Sequence, residues 1–445
     1  VLSPAFKKFK FSDTPDLKGN ATVSRMAATE GMVLLKNNNA VLPLKKATKI
    51  TLLGNTSYDL IAGGTGSGDV NKAYTISILQ GLKAAGFAVN QSLADGYRSH
   101  IDSTKSTWPK TRRMFQAPPV IAEKKLSENQ LSAQAELSDV AMITVGRNAG
   151  EGADRKLDND YYLSVDEKEL IRNASKAFHQ KGKKVIAVLN IGGVIEVASW
   201  RDQVDGILLA WQPGLEGGNA ITDVLSGKVT ASGKLATTFP VDYKDVPSAK
   251  NFPGTEDLSK ATGEGYFRQV PAEVIYEDGI YVGYRYYDTF KIEPAYPFGF
   301  GLSYTTFTYS NLKLSSPLFN GKVTASIVIK NTGGVAGKEI AQLYLSAPVG
   351  KLAKPSIELK AFAKTRLLQP GESQTLTFEV KPKDLASFDT SREEWIADSG
   401  SYTVRVGSSS VDIKQVANFK LNKELVVEKV TKALTPQIQI KELNK

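Results

Sequence analysis

The sequence contains no cysteine and only two histidines, His100 and His179. The first absence excludes disulfides, thiolate nucleophiles and cysteine-ligated metals, and it leaves the redox compartment undefined. The second rules out a multi-histidine metal site within the chain, and no metal or organic cofactor is expected. Long apolar runs are missing too. None reaches the roughly 18 to 20 residues that a membrane span requires, so no membrane partner is expected. The sequence opens at Val1 with neither a signal-like segment nor an initiator methionine. Processing or truncation therefore stays open, and the weight falls on a cytoplasmic rather than a secreted location.

Positive charge is in excess: 56 Lys and Arg against 46 Asp and Glu give a formal net charge of +10. A nucleic-acid partner would need a basic arm or an aromatic RNA-binding signature, and neither is present. Clusters such as Lys181, Lys183 and Lys184 sit at the end of an expected helix, where cations complement the dipole. Dispersed solvated lysines, or a surface complementary to an acidic domain, account for the charge without nucleic acid. At 445 residues the chain is long enough for two or three compact units. Its 41% hydrophobic content suffices for a core in each.

Two periodicities divide the chain. Between residues 49 and 240 the apolar runs KITLLGN, GFAVN, VAMITVG, KVIAVLN and GILLAW alternate with helical stretches. Continuous apolar strands separated by helices predict an open, mostly parallel sheet covered on both faces, an α/β sandwich. Ser164 followed by Glu167 forms a capping box that opens one helix, and Gly182 ends it. From about residue 306 the period becomes two: Leu376, Phe378 and Val380 alternate with polar neighbours, as do Tyr402, Val404 and Val406. With the turn clusters NTGG and QPGES, this predicts a β-sandwich of fibronectin type III kind. The expected units are a lead segment 1–20, an α/β domain 21–240, a Tyr-rich connector 241–305, a fibronectin-like domain 306–420 and an extension 421–445.

The most glycine-dense stretch, GGTGSGD at residues 63–69, follows the first strand. Gly63 and Gly68 have P-loop spacing, but Asp69 stands where the phosphate-reaching lysine belongs and would repel phosphate. No G-x-G-x-x-G opens a helix here, and Thr65 and Asp69 replace the glycines of a nucleophile elbow around Ser67. A tight surface turn and a close-approach wall for a ligand remain. A second loop, GRNAGEGADRK (146–156), follows the strand VAMITVG and carries Glu151 between two glycines. In an open parallel sheet both loops leave carboxyl ends of strands, so Ser67 and Glu151 can face one cavity. Glu151 is placed as a proton donor or as a solvated loop acid; Asp154 and Arg155 are expected to brace the loop by ion pairing. Glu216, in GLEGG, is the competing carboxylate and is expected to be structural.

Taken together, SRMAATEGMVLLKNNNAVLPL, GGTGSGD, GEGADR, VIAVLNIGG, WQPGLEGGNAITDVLSGKVTASGKLATTFP, DGIYVGYRYYD, ELKAFAKTRLLQPGESQTLTFEV and SGSYTVRVGSSS occur in one order along the chain. That order resembles glycoside hydrolase family 3, the β-glucosidase and β-xylosidase family. The resemblance implies a retaining exo-acting β-glycosidase with a β-glucoside or oligosaccharide substrate. It implies Glu151 as general acid/base, with its pKa raised by burial or a second carboxylate, and Ser67 hydrogen-bonding the sugar at the −1 subsite. It also implies a nucleophilic aspartate in a TIM barrel, within a Ser-Asp-Trp-like motif, and the chain has no room for that barrel. Ser138-Asp139 is followed by Val140 and Ser12-Asp13 by Thr14; neither histidine follows a lysine. The residues past Leu421 favour a barrel-last arrangement, with the barrel as a further domain or a partner chain. A noncatalytic carbohydrate-binding or assembly module is the alternative, and homo-oligomerisation is left open.

Overall fold

The computed structural model describes residues 13–111, 117–151, 154–264, 268–431, 433 and 435–445. Helix α1 (Leu17–Gly31) leads into β1 (Val33–Asn37), β2 (Lys49–Leu53), α2 (Ile78–Ala84) and β3 (Ala88–Val89). There follow α3 (Gln91–Ser106), α4 (Glu128–Leu137), β4 (Val140–Arg147), α5 (Val165–His179), β5 (Lys184–Ile191), β6 (Gly206–Leu209) and α6 (Gly217–Leu225). The six strands form one sheet in the order β1-β6-β5-β4-β2-β3. Strands β2 to β6 are parallel, and β1 closes the β6 edge antiparallel, with Val33 opposite Leu209.

Successive residues of a strand point to opposite faces, so apolar side chains in both registers demand cover on both sides. Ile50, Leu52, Val140, Met142, Ile186 and Val188 pack into one core with Leu79 of α2 and Ile221 of α6. Their neighbours Leu53, Ile143, Val145, Ala187 and Leu189 pack into the other with Tyr97 of α3, Leu131 of α4 and Phe178 of α5. The expected capping box forms at α5: Glu167 N donates to Ser164 Oγ at 3.3 Å and Ser164 N donates to Glu167 Oε2 at 2.8 Å. Gly182 lies just past this helix at φ +69°, the left-handed region that suits glycine.

The connector contains the short ribbon β7 (Thr255–Glu256) and β8 (Ala272–Glu273) and the helix α7 (Tyr284–Phe290). Tyr284 links the connector to strands of the second domain. Tyr284 stacks on Phe298 at 4.6 Å, meets Tyr344 edge-on at 6.0 Å, and its hydroxyl accepts from Leu359 N at 2.7 Å.

Strands β9 (Phe307–Leu314), β10 (Val323–Asn331), β11 (Ile340–Ser346), β12 (Glu358–Lys364) and β13 (Ser373–Val380) begin the second core. A short helix α8 (Pro382–Leu385), β14 (Ser387–Asp389), β15 (Glu394–Ala397), β16 (Gly400–Gly407), β17 (Ile413–Leu421) and β18 (Leu425–Lys429) complete it. They make the sheets β13-β10-β9, β12-β11-β16-β17 and β14-β15-β18. Leu376, Phe378, Val380, Tyr402, Val404 and Val406 are all buried in it, as their alternation requires.

Two segments differ from the sequence reading. VLLKN before Lys49 is a strand, β1. The residues past Leu421 do not simply leave the sandwich: β18 pairs with β15, Val426 opposite Ile396. The tail then returns to the connector, where Leu443 N donates to Glu277 O at 2.7 Å.

At the amino-terminal end of the sheet Asp205 gathers three partners. Val185 N donates to Oδ2 at 2.9 Å, His179 Nε2 lies 2.8 Å from the same oxygen, and Lys184 Nζ is 3.0 Å from Oδ1. Burial works against this carboxylate, but the Val185 amide, His179 and Lys184 outweigh it and hold its carboxyl below the usual aspartate range. A lowered carboxyl contributes stability that is complete above the ordinary value of 3.8 and is lost as pH falls through the lower folded value. Asp205→Asn should therefore unfold at lower urea concentration near neutral pH, and the gap to the parent should close in acid. A gap that does not change with pH would show that the charge is not what matters.

Candidate active site at the switch point of the sheet

Strand β2 connects outward to β3, whereas β4 continues in the opposite direction to β5 and β6. The carboxyl ends of β2 and β4 therefore flank the point where the winding reverses, the place where open α/β sheets hold ligands. The loop after β2 carries GGTGSGD and the loop after β4 carries Glu151.

Glycines let these two loops touch through backbone. Thr65 pairs with Gly150 as an isolated parallel bridge. Thr65 N donates to Ala149 O at 3.1 Å and Glu151 N to Thr65 O at 3.2 Å. A Cβ at Gly64 would lie 2.1 Å from Ala149 O, and one at Gly150 would lie 2.2 Å from Thr65 O. Gly66, at φ +87°, backs directly onto the glutamate: a Cβ there would stand 2.7 Å from Glu151 Cβ. Asn148 Nδ2 donates to Thr65 Oγ1 at 2.6 Å, and Gln212 Nε2, from the loop after β6, donates to Asn148 Oδ1 at 3.3 Å.

The expected pair, Ser67 and Glu151, is brought together. Ser67 N donates to Glu151 Oε2 at 3.1 Å, and the Ser67 hydroxyl donates to Glu151 Oε1. Both side chains are exposed on the rim. The shift runs opposite to the raised proton affinity that the resemblance implies. The Ser67 hydroxyl, and after it the Ser67 amide, hold the Glu151 carboxyl below the usual glutamate range. Among the described residues no second carboxylate acts on it, and the slight desolvation that would raise it is outweighed.

Arg155 braces the loop by ion pairing, with Asp160 as its partner at 2.6 Å, and donates to Val194 O at 2.6 Å. Arg147, the last residue of β4, makes a two-pronged pair with Glu167 at 2.6 and 2.7 Å and donates to Asp160 O at 2.8 Å. Glu216 accepts from Tyr74 Oη at 2.8 Å and from Asn219 Nδ2 at 2.7 Å, away from the Ser67–Glu151 pair. Gly152 and Ala153 of the GEGADR motif lie outside the described residues. Among the described residues no group of three or more acidic, histidine or cysteine side chains is placed to hold a metal ion.

Two supporting residues were not read from the sequence. Asn190, fully buried at the end of β5, accepts from Ile61 N at 2.8 Å and donates to Ile61 O at 2.9 Å and Trp211 O at 2.8 Å. It thereby ties the loop after β2 to the loop after β6. Glu123, folded over the end of β2, accepts from Asn55 N at 3.1 Å, and burial pushes its carboxyl up to about 7. A polar residue ending the otherwise apolar run VIAVLN was the available signal for Asn190; nothing local marks Glu123.

Fold and rim define an α/β domain of open, mostly parallel sheet joined to a fibronectin-like sandwich. Residues 32–304 match the glycosyl hydrolase family 3 C-terminal domain and residues 339–410 a fibronectin type III-like domain, and the chain belongs to that family. It is 35% identical to Beta-glucosidase A of Butyrivibrio fibrisolvens over 92% of this chain and 52% of that protein. It is 34% identical to Thermostable beta-glucosidase B of Acetivibrio thermocellus, over 96% and 52%. Beta-glucosidase 3B of Thermotoga neapolitana, solved in complex with glucose, superposes with a TM-score of 0.86 at 49% identity, covering 95% of this chain and 57% of that one. The chain thus spans about half the length of the relatives it matches.

Asn190→Ala should leave the Ile61 amide and carbonyl unpaired in a closed setting. The expected cost is about 1–3 kcal/mol per orphaned group, read as a lower urea midpoint. Unchanged stability would mean that water replaces the amide.

Proposed function

We propose that this chain supplies the general acid/base, Glu151, to a retaining β-glycosidase whose nucleophilic aspartate lies in a barrel outside this chain. What carries the reading is the rim itself: an exposed glutamate locked by backbone onto a glycine wall at the switch point, in a chain half the length of relatives named beta-glucosidases. In retaining hydrolysis two carboxyl groups about 5 Å apart flank the bond. The barrel aspartate attacks the anomeric carbon while Glu151 gives its proton to the departing oxygen. Glu151, now a carboxylate, then takes a proton from water as that water releases the sugar. Ser67, beside it, hydrogen-bonds the glycone at the −1 subsite. A terminal β-D-glucosyl residue is the substrate favoured by the relatives, with xylosyl as the second choice.

The decisive experiment combines this chain with a barrel carrying a Ser-Asp-Trp-like motif and assays it on two substrates. Glu151→Gln or Glu151→Ala should lower turnover of a glucoside with a poor leaving group by roughly 10²–10⁴-fold, the usual share of general acid catalysis. An activated aryl glucoside needs little protonation, so its glycosylation step should be far less affected, and azide should restore slow deglycosylation. Equal losses on both substrates without azide rescue would remove Glu151 from the role. Glucose binding without turnover in any combination would favour the noncatalytic binding module.

A further inference from the structure

Both carboxylate oxygens of Glu151 are served by a single residue. The Ser67 amide reaches Oε2 at 3.1 Å and the Ser67 hydroxyl reaches Oε1. The charged side chains of the two loops are otherwise engaged, Lys72 with Asp69 at 2.7 Å and Arg155 with Asp160 at 2.6 Å. Among the described residues Asp154, Asp69, Lys72 and Arg155 do not act on the Glu151 carboxyl, and Ser67 is the residue that does. The glutamate cannot drift from the serine, because Glu151 N is held by Thr65 O at 3.2 Å and Gly66 lies against its Cβ. A serine hydroxyl has one proton to give, so it can donate to Glu151 or to a sugar oxygen, not to both.

We propose that Ser67 is a positioning residue that changes partner. In the empty cleft it holds Glu151 aimed along the rim by two hydrogen bonds; in the occupied cleft its hydroxyl turns to the sugar and leaves Glu151 Oε1 without that donor. The inference rests on the reading of Glu151 as acid/base. Loss of the Ser67 donor is then one contribution to the higher proton affinity that a donor needs. By linkage, a ligand that removes a stabiliser of the charged form takes up a proton as it binds, at pH values near the carboxyl's midpoint.

The test follows the Glu151 carboxyl by ¹³C NMR through a pH titration of the full chain, parent and Ser67→Ala. In the chain combined with a barrel, proton uptake on glucose binding is then measured by calorimetry in two buffers of different ionisation enthalpy. The Glu151 midpoint should be higher in Ser67→Ala than in the parent, and Ser67→Thr, which keeps the hydroxyl, should restore it. At the pH of the parent's Glu151 midpoint, glucose should bind the parent with proton uptake, and Ser67→Ala with that uptake lost. An unmoved midpoint in Ser67→Ala overturns the proposal, as does glucose binding to the parent without uptake, which would mean the sugar donates to Ser67 and leaves its bond to Glu151 intact. The alkaline limb of the pH–rate profile, where a proton donor is lost, separates the two layers. If Ser67→Ala moves the NMR midpoint but not that limb, the pair exists and the acid/base assignment of Glu151 fails.

Discussion

Two backbone hydrogen bonds, Thr65 N to Ala149 O and Glu151 N to Thr65 O, join loops that leave neighbouring strands and lie 84 residues apart at the Ser67–Glu151 contact. Everything at the rim depends on this short parallel pairing. Side chains could not make it: the approach is so close that a Cβ on Gly64 or Gly150 would overlap a carbonyl oxygen of the opposite loop. Glycine is disfavoured in a loop on entropic grounds, because it loses the most freedom on ordering. At Gly64 and Gly66 that cost is offset by contact with the Glu151 loop that no other residue permits, whereas a Cβ at Gly68 would meet nothing within 4 Å.

The pairing is precise because what lies beneath it does not move. Adjacent strands β2 and β4 are buried on both faces, and cores of this kind are packed as densely as organic crystals. The carboxyl ends of β2, β4, β5 and β6 are then cross-tied by polar side chains: Asn190 between the loops after β2 and β6, Asn148 and Gln212 across the loops after β4 and β6, Arg147 and Arg155 under the Glu151 loop. Asn190, Arg147 and Arg155 also satisfy backbone groups that would otherwise be orphaned where strands stop, so these ties stabilise the rim and aim it at once.

Much of this was legible before any coordinates. Period and run length reveal which segments are two-face and which are one-face strands, because burial on both faces removes the polar alternation that burial on one face leaves. The Ser164–Glu167 box marks a helix start by local chemistry alone, and the switch-point rule brings Ser67 and Glu151 to the same rim. What escaped was long-range. VLLKN carries no turn or period to separate it from the helix before it, and only pairing with β6 makes it a strand. LVVEK past Leu421 is short and half polar; β15 supplies its partner. Arg155 has an adjacent carboxylate in Asp154, yet the loop folds so that Asp160 meets the guanidinium. Charge next to charge in sequence says little about which pair forms, since neighbours on an extended segment point apart.

The direction of the Glu151 shift is the most informative disagreement between residue reading and structure. A proton donor at neutral pH needs a site that penalises its charged form, through burial or a like charge. Among the described residues this chain provides the reverse, an exposed carboxyl with two donors from Ser67 aimed at it and no second acid acting on it. Only a change in what surrounds Glu151 would reverse that preference, because exposure and hydrogen bonds to the charged form both favour the carboxylate. The fold fixes where this carboxylate stands, by backbone pairing with the glycine loop.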